Sequence, residues 1–482
     1  MSIPAGQAEA AALLGRLTGA APVETHISAV YVGRDRVLKL KKAVALEFLD
    51  FTSLAAREHF CRRELVLNAP AAPGLYRGVH ALSRGPDGAL RLDGDGAAEE
   101  FVLEMAPLPA ADFLDAVAAR GALDAPLQDA LGDAVAAMHA RLAPVEGWVP
   151  EAALRRVARE CRNAGLATGL PEARIAAWAT ALEAAIVRLA PFLAARAAAG
   201  RVRRCHGDLH LANLVLWEGR PVPFDALEFD EALATIDTGY DLAFLLADLM
   251  LRVGPGAANR VLNRYVARSG DAELVRGLPL WLSLRFLIRA HCLQRIGQDG
   301  LPWLAAAEAA LRPAPPRLLA VGGLPGTGKS HWARHWAPAL GAVPGALILR
   351  SDEIRKRRHG LAPETRLPPE AYAPAESAAV HAELFALAEA ALRGGHSVIA
   401  DAAFLDPVLR QRIADVAAAL GLPFQGVWLE APLELLRQRV AARRGDASDA
   451  GVAVLESMAA AEAGPIEWRR LDVTGTMPET AP

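Results

Sequence analysis

A glycine-rich segment, Gly323–Ser330, constrains the fold of this 482-residue chain more than any other stretch. It reads Gly-Leu-Pro-Gly-Thr-Gly-Lys-Ser, a complete phosphate-binding P-loop pattern. The apolar run 317–322 precedes it and predicts a buried strand, and residues 330–339 predict a helix. Strand, loop and helix in this order favour an α/β domain whose backbone amides bind phosphate groups.

The whole loop is predicted to bind a nucleotide through Gly323, Leu324, Pro325, Gly326, Thr327, Gly328, Lys329 and Ser330. The lysine should reach the β- and γ-phosphates, and the serine hydroxyl should coordinate magnesium. An empty glycine turn is the alternative interpretation. The flanking strand and helix argue against it.

Three further strand-like runs, 346–352, 394–401 and 424–430, alternate with Ala-rich helical segments. This rhythm predicts a parallel sheet covered on both faces. Asp352 and Asp401 end the first two runs, so we expect them at the carboxyl edge of the sheet beside the P-loop. One should activate an acceptor hydroxyl, and the other should steady magnesium through water.

Arginines cluster near the end of the chain, at Arg437, Arg439, Arg443 and Arg444. In small P-loop kinases such clusters form a lid that closes on the transferring phosphate. A solvated basic helix face is the alternative, and for Arg437 the two interpretations are equal. The lid is preferred for the other three, and Arg443 and Arg444 are the predicted catalytic pair.

A second candidate site lies in His206-Gly-Asp-Leu-His-Leu-Ala-Asn213, followed by Pro223-Phe-Asp225. Asp208 can accept a proton from a substrate hydroxyl. The Asn213 amide and the Asp225 carboxylate offer oxygen ligands suited to magnesium. Protein kinases place a catalytic Asp and a metal-binding Asn at this separation, followed by a metal-binding Asp.

Upstream, residues 26–42 predict a β-hairpin with Gly and Asp in its turn. Strand alternation places Lys39 and Lys41 on one face and Leu38 and Leu40 on the other. A solvated strand face is the alternative interpretation of the lysines. The motif at residues 206–225 tips the choice towards function.

A kinase N-lobe uses one strand lysine on the α- and β-phosphates and pairs it with a helix glutamate. Glu58 and Glu64 are the candidates for that glutamate. We predict that Lys39 and Glu64 form the pair and bind the nucleotide.

The residues from His206 to Asp225 resemble the aminoglycoside phosphotransferase family, a branch of the protein-kinase-like fold that includes choline and fructosamine kinases. The resemblance extends over about residues 26–311. It implies roles for Asp208 as catalytic base, Asn213 and Asp225 as magnesium ligands, and His206 and His210 as supports of the loop.

Two departures from the protein-kinase pattern qualify this resemblance. Thr25–Ser28 stands where a glycine-rich phosphate loop would precede the lysine, and Asp225 is followed by Ala-Leu-Glu rather than by glycine. Glu228 or Asp230 could therefore share the metal role with Asp225. We interpret Asp241 as structural, capping the helix that follows.

Residues 317–475 resemble small-molecule P-loop kinases near gluconate kinase, zeta toxin and the kinase domain of polynucleotide kinase. The resemblance is carried by the P-loop, by Ser351-Asp352 with Arg355, and by the segments 401–404 and 443–449. It implies that Asp352 is the acceptor-side base and Arg355 a substrate anchor. Asp401 remains the predicted second metal-binding residue beside Ser330.

Two domains follow from these motifs. An α+β protein-kinase-like domain should occupy 1–311, with an N-lobe at about 20–106 and a helical C-lobe at about 107–311. The proline-rich residues 312–316 should form a stiff linker. An α/β P-loop domain with a parallel sheet should occupy 317–482, so the whole resembles a bacterial fusion of the two kinase types.

Composition limits the partners. The formal net charge of −3 gives no electrostatic reason to bind nucleic acid or an anionic membrane. The four cysteines are scattered without a CxxC pair, and the N-terminus lacks the features of a signal peptide. The most apolar run, 240–250, is too short and too charged to span a bilayer. We therefore expect a cytoplasmic chain.

The preferred function is a bifunctional phosphotransferase with ATP and Mg²⁺ as cofactors. The N-terminal site would phosphorylate a hydroxyl of a small molecule, and the P-loop site would phosphorylate a small metabolite. One alternative is a nucleic-acid or nucleotide end kinase in the C-terminal half, for which 355–358 is the basic run. The other is a nucleotide-sensing regulatory protein.

Overall fold

The computed structural model describes residues 2–46, 49–443 and 445–475. The strands, in chain order, are β1 Pro22–Glu24, β2 Ser28–Val32, β3 Val37–Lys41, β4 Ala45–Leu46, β5 Leu49–Asp50, β6 Tyr76–Arg84, β7 Leu90–Leu92, β8 Ala98–Met105, β9 Val202–Arg204, β10 Leu214–Trp217, β11 Arg220–Pro223, β12 Thr235–Asp237, β13 Leu318–Gly323, β14 Leu347–Arg350, β15 Val398–Asp401, β16 Phe424–Glu430 and β17 Arg469–Asp472.

The α-helices, in chain order, are α1 Ala8–Thr18, α2 Leu54–Asn68, α3 Leu114–Ala119, α4 Ala125–Arg141, α5 Pro150–Ala167, α6 Glu172–Ala198, α7 Glu231–Ala234, α8 Thr238–Arg252, α9 Pro255–Ser269, α10 Leu278–Arg295, α11 Leu301–Ala310, α12 Lys329–Trp336, α13 Ser351–Arg358, α14 Pro374–Arg393, α15 Pro407–Ala419, α16 Leu433–Ala442 and α17 Val452–Ala460.

The chain forms two compact units. Unit 1 contains Met1–Asp124, Arg141–Ala153 and Arg196–Asp241. Unit 2 contains Ala125–Ala140, Leu154–Ala195 and Leu242–Pro482. The helices of 242–310 therefore group with the P-loop sheet, whereas the domain boundary at 312–316 stays a prediction.

The main sheet of unit 1 has six strands in the order β1-β2-β3-β8-β6-β7, and each neighbouring pair is antiparallel. Leu38 and Leu40 of β3 pack with Leu14 of α1 in a buried apolar cluster. Lys39 and Lys41 lie on the opposite face, where both reach α2. The predicted hairpin and its two faces are confirmed.

The remainder of unit 1 includes two antiparallel ribbons, β9 with β12 and β10 with β11. Asp241 lies in the first turn of α8 and does not cap that helix, which corrects the prediction. Its carboxylate accepts the N–H groups of His206 and Gly207 at 3.2 and 2.9 Å. Asp237 is the residue before α8, and its side chain accepts the Gly239 N–H at 2.7 Å.

The sheet of unit 2 has five parallel strands in the order β14-β15-β13-β16-β17. This is the predicted parallel architecture, and β15 ends at Asp401 as expected. β14 ends at Arg350, and α13 begins at the next residue. Asp352 therefore lies in the first turn of a helix rather than at the end of a strand. The sequence did not predict β17.

Helix α6 is long and apolar enough, by length and composition, to cross a membrane. The sequence analysis considered only 240–250 as a candidate span. In unit 2, the Trp178 indole of α6 donates to the Ser283 hydroxyl at 2.9 Å, and Phe192 packs against Trp281. A helix with such packing partners is typical of a protein core, which favours that interpretation over a membrane span.

Strand β14 forms one edge of its sheet, and α9 covers that edge. The Asn263 Oδ1 accepts the Ile348 N–H at 2.6 Å. The Asn259 and Asn263 Nδ2 atoms donate to the Ala346 carbonyl at 3.0 and 3.2 Å. Two asparagine side chains thus take the hydrogen bonds that a neighbouring strand would make.

Candidate functional site

In unit 1, Lys39 joins three elements. Its Nζ donates to Glu64 Oε1 of α2 at 2.7 Å and to Asp225 Oδ1 at 2.7 Å. Glu64 is fully buried. Glu58, the other candidate partner, instead pairs with Arg62 four residues further along the surface of α2. The structure therefore brings together the lysine and glutamate that the sequence analysis preferred.

A second lysine, Lys41, shares the same glutamate. Its Nζ donates to Glu64 Oε2 at 2.8 Å and also bonds Glu228 Oε1. Burial acts to raise the pKa of Glu64, but the two ammonium groups outweigh it and lower this pKa to about 2. For Glu228 burial wins, and its pKa is raised. Sequence reasoning missed this pair because its members are 187 residues apart.

Asp208 and Asn213 are in direct contact. The Asn213 Nδ2 donates to the Asp208 carbonyl at 3.0 Å and to its Oδ2 at 2.9 Å. His210 Nε2 lies 3.4 Å from the same Oδ2. The Asp208 side chain is 43% exposed, so its carboxylate is accessible to a substrate hydroxyl.

His206 contacts the backbone of the loop that carries Asp208 and Asn213, and also the backbone at Phe224. Its Nε2 is 2.9 Å from the Phe224 carbonyl oxygen, and its Nδ1 is 3.3 Å from the Asp208 backbone nitrogen. These partners assign the proton to Nε2 and make Nδ1 the acceptor. Burial lowers the pKa of His206, which agrees with a neutral ring.

The structure distinguishes the three carboxylates considered as the second metal ligand. Glu228 is buried in its ion pair, and Asp230 accepts two backbone N–H groups of α7 at 2.8 and 3.1 Å. Asp225 is 41% exposed and adopts a left-handed backbone with φ of 58°. Its N–H donates to the Tyr76 hydroxyl at 2.9 Å. Carboxylate and amide oxygens of Asp225 and Asn213 fit magnesium.

In unit 2, backbone conformation builds the phosphate loop. Gly323, Gly326 and Gly328 have φ values of 134°, 89° and 84°. A Cβ at Gly323 would lie 2.6 Å from the Leu429 carbonyl oxygen, and one at Gly326 would lie 2.9 Å from that of Leu436. Glycine is therefore required here both by conformation and by space.

Lys329 and Ser330 follow the glycine loop as the first two residues of α12. The Lys329 Nζ donates to two carbonyls of its own loop at 2.9 and 3.1 Å. Burial lowers its pKa, and Asp401 and Asp352 oppose the shift. The Ser330 hydroxyl donates to Asp401 Oδ2 at 2.6 Å. This hydroxyl and carboxylate form an oxygen pair that fits magnesium.

Arg350 is the centre of the remaining charges at this site, although the sequence analysis missed it. Its guanidinium lies 2.8 Å from Glu353, 3.1 Å from Asp446 and 3.4 Å from Asp401. Burial raises the pKa of Asp352, and the nearby Arg350 opposes the shift. Arg350 lies in the predicted strand run 346–352, two residues before its end, and this place near the carboxyl edge of the sheet was the signal that could have identified it.

Arg355, the predicted substrate anchor, is 7% exposed. Its Nη1 donates to the Ala371 carbonyl at 2.7 Å, and its Nη2 donates to the Ser377 hydroxyl at 3.3 Å. The guanidinium also lies over the Tyr372 ring. These contacts tie α13 to α14 and to the segment just before it, and the anchoring role stays a prediction.

The predicted lid arginines lie in and after α16. Arg443 Nη1 is 3.5 Å from the Ser448 carbonyl oxygen. Arg439 lies near the P-loop, with Nη1 3.5 Å from the Gly326 carbonyl oxygen. Arg444 lies outside the described residues. The lid role of these residues stays a prediction.

Residues 318–465 match a family model described as an AAA domain. This match, the P-loop on a parallel sheet and the antiparallel lysine-bearing sheet of unit 1 confirm the predicted fold class. They also confirm the resemblance to a fusion of a protein-kinase-like domain with a P-loop kinase domain.

Proteins from several bacteria resemble the chain. A Mycobacterium bovis protein described as uncharacterized is 29% identical over 475 residues, covering 94% of this chain and 92% of its own length. A choline/ethanolamine kinase family protein of Mesorhizobium loti has 14% identity and a TM-score of 0.36, covering 64% of this chain and 94% of its own. A gluconokinase of Sinorhizobium meliloti has 20% identity and a TM-score of 0.23, covering 33% and 85%.

Proposed function

We propose that the chain is a bifunctional ATP-dependent phosphotransferase. The observation that carries the proposal is the bonding of Lys39 to both Glu64 and Asp225, in the unit that also holds the Asp208–Asn213 pair. Kinase-type phosphoryl transfer uses three such features: a lysine paired with a helix glutamate, an aspartate that can bind the metal ion, and a solvent-accessible carboxylate that can act as base. The P-loop of unit 2 supplies a second such site.

At the first site, Mg²⁺-bound ATP would supply the phosphoryl group. Lys39 is placed to orient its phosphates, and Glu64 fixes the lysine through a buried ion pair. The Asp208 carboxylate would accept the proton of the acceptor hydroxyl as the hydroxyl oxygen bonds to the γ-phosphorus, and the bond from that phosphorus to the bridging oxygen would break to release ADP. Asn213 holds Asp208 Oδ2 at 2.9 Å and so fixes the direction of the base.

At the second site, the loop amides and Lys329 would bind the phosphates, and Ser330 with Asp401 would hold the metal. To contact the phosphates, Lys329 must give up its hydrogen bonds to the two loop carbonyls. Burial raises the pKa of Asp352, which makes its carboxylate a stronger acceptor for the proton of a substrate hydroxyl. Arg350 and Arg443 would offset the charge that develops on the transferring group.

Small molecules are the proposed acceptors at both sites, and the contacts of the basic run 355–358 support this over nucleic acid. Lys356 is 1% exposed and bonds Asp449 at 2.5 Å. The two arginines after it pair with Glu383 and Glu376 at 2.8 and 2.7 Å. Cations neutralised in this way offer little to a phosphate backbone.

The test is a panel of hydroxyl-bearing metabolites incubated with ATP and Mg²⁺ and followed by phosphorus NMR. We expect Asp208→Asn to lower one transfer activity by about 10²–10⁴-fold, because it removes a general base. Lys329→Ala should remove a different activity and leave the first intact.

Identical turnover by the wild type and both variants would refute two independent sites. Nucleotide binding without transfer to any panel member would favour the nucleotide-sensing alternative. Transfer to oligonucleotide ends, lost in Lys329→Ala, would favour the end-kinase alternative.

A further inference from the structure

Unit 2 contains a cavity of about 170 Å³ that lies apart from the P-loop residues 323–330. Its walls come from helices α4, α9, α12 and α13 and from strand β14 of the parallel sheet. The lining side chains with charge are Asp129, Arg260, Arg264, Arg334, Arg350 and Glu353. The cavity therefore carries more positive than negative charge.

Three of these arginines have carboxylate partners. Arg260 forms a two-bond contact with Asp129 at 2.7 and 2.5 Å. Arg264 bonds Asp133 and Glu364 behind the cavity wall, at 2.5 and 2.7 Å. Arg350 bonds Glu353 and lies near Asp401, as described above.

Arg334 is different. It lies on α12, and its guanidinium has no ion pair within the part of the chain that the structure describes. Its side chain is solvent-exposed, and the Arg350 and Arg260 side chains line the same cavity. An unneutralised guanidinium beside two others in a concave wall attracts an anion.

The cavity is also preformed. Asn263 and Ile348 both line it, and the Asn263 Oδ1 accepts the Ile348 N–H at 2.6 Å. Asn259, a further lining residue, is 2% exposed and bonds the Ala346 carbonyl. These bonds fix the α9 wall to the β14 wall, so a ligand would not need to order them.

We propose that this cavity binds the phosphate group of a small phosphorylated metabolite, with Arg334 as its main binding residue. Drug-sized ligands occupy pockets of about 300–1,000 Å³, so this smaller space suits a compact anion rather than a whole nucleotide. A phosphomonoester carries about −1.5 to −2 charges at neutral pH and several acceptor oxygens. That charge and its acceptor oxygens suit the Arg334 guanidinium, because the other three lining arginines are already paired with carboxylates.

Arg350 links the cavity to the P-loop. It lines the cavity and lies 3.4 Å from Asp401, whose carboxylate accepts the Ser330 hydroxyl. A bound phosphate would compete with Asp401 for this guanidinium. Phosphate occupancy should therefore change the affinity of the P-loop for Mg²⁺-nucleotide, and nucleotide should change phosphate affinity by the same factor.

The test is equilibrium dialysis of radiolabelled inorganic phosphate and of sn-glycerol 3-phosphate, each against the full chain with saturating Mg²⁺ and a non-hydrolysable ATP analogue. The analogue keeps the probes out of the nucleotide sites. We expect saturable binding that is at least tenfold weaker in Arg334→Gln, because a hydrogen-bonded charge contact is lost. Arg393→Gln, which removes a solvent-exposed arginine of α14, should bind as the wild type does.

Equal binding by wild type and Arg334→Gln would overturn the proposal, as would binding that Lys329→Ala alone removes. Binding of inorganic phosphate without glycerol 3-phosphate would overturn the assignment to a metabolite. Tighter binding of the ester, lost in Arg334→Gln, would support it. The comparison needs no phosphoryl transfer, so failure of the proposed enzymatic function would leave this result readable.

Discussion

The two candidate sites hold their lysines in opposite ways. In unit 1, Lys39 and Lys41 are fixed by carboxylates in a buried network centred on Glu64. In unit 2, Lys329 rests on carbonyls of its own loop, and glycines with positive φ give that loop its shape. Position is therefore set by side-chain charge in one unit and by backbone conformation in the other.

This difference predicts which substitutions affect stability. In unit 1 the residues proposed to position the nucleotide, Lys39 and Glu64, also form a buried ion pair, so binding and folding should fail together. Within the residues that the structure describes, the Lys329 Nζ bonds only carbonyls of its own loop, so its replacement should affect nucleotide binding with little effect on folding.

Glu64→Gln should destabilise unit 1 by about 3 kcal/mol, because breaking a buried pair leaves charge without its partner. The expected loss is at the low end of the usual range since Asp225 and Glu228 still contact the lysines. The measurement is chemical denaturation followed by tryptophan fluorescence and circular dichroism. Glu58→Gln, which breaks an exposed pair on the same helix, should change the free energy of unfolding by less than about 1 kcal/mol.

A loss in Glu64→Gln as small as that in Glu58→Gln would remove the contrast, because the network would then contribute no stability.

Gly326→Ala should destabilise unit 2 by about 2–3 kcal/mol. The left-handed backbone costs a residue with a Cβ about 1–2 kcal/mol, and the Cβ would lie 2.9 Å from the Leu436 carbonyl oxygen. Gly328→Ala is the matched control, since its φ of 84° is similar but the nearest atom is 3.6 Å away. Thermal unfolding without nucleotide measures both.

Equal losses in the two glycine variants would show that space at Gly326 does not matter, and that conformation alone requires glycine there.

His396 should make unit 2 sensitive to mild acid. Burial lowers its pKa from 6.5 to about 4, and its Nε2 lies 2.9 Å from the Gly345 carbonyl oxygen. Between pH 6.5 and about 4, His396 binds a proton in the unfolded state but not in the folded state. The free energy of unfolding therefore falls as the pH drops below about 6.5. Between pH 7 and pH 5 the contribution is about 2 kcal/mol, at 1.36 kcal/mol for each pH unit below 6.5.

The measurement is urea denaturation of the wild type and His396→Gln at pH 7, 6 and 5. We expect the variant to lose about 2 kcal/mol less than the wild type over this range. His59→Gln, at an exposed position of α2, should follow the wild-type slope. Parallel slopes for wild type and His396→Gln would contradict the prediction.

Local patterns predicted much of this architecture. The apolar run before the P-loop, the end of β15 at Asp401 and the whole of β16 follow from strand periodicity and turn residues. The pairing of Lys39 with Glu64 was predicted from strand alternation together with the kinase pattern of a strand lysine and a helix glutamate. Each of these features is encoded within one or two elements.

Features that depend on distant parts of the chain were not predicted. Glu228 meets Lys41 across 187 residues, and Asn259 meets Ala346 across 87. Neither contact leaves a periodic signal, because each depends on how whole elements pack. Strand β17 was missed for a local reason, since Arg-Arg-Leu-Asp lacks the apolar run of a buried strand.

The asparagines of α9 have a consequence for how the P-loop half can be handled as a separate protein. They cover the outer edge of β14, whose backbone would otherwise offer unpaired donors and acceptors. A fragment starting at residue 317 would lack α9 and expose that edge to other copies of itself. Such edges recruit further strands, so the fragment would tend to aggregate, and a soluble version would need to begin before Pro255.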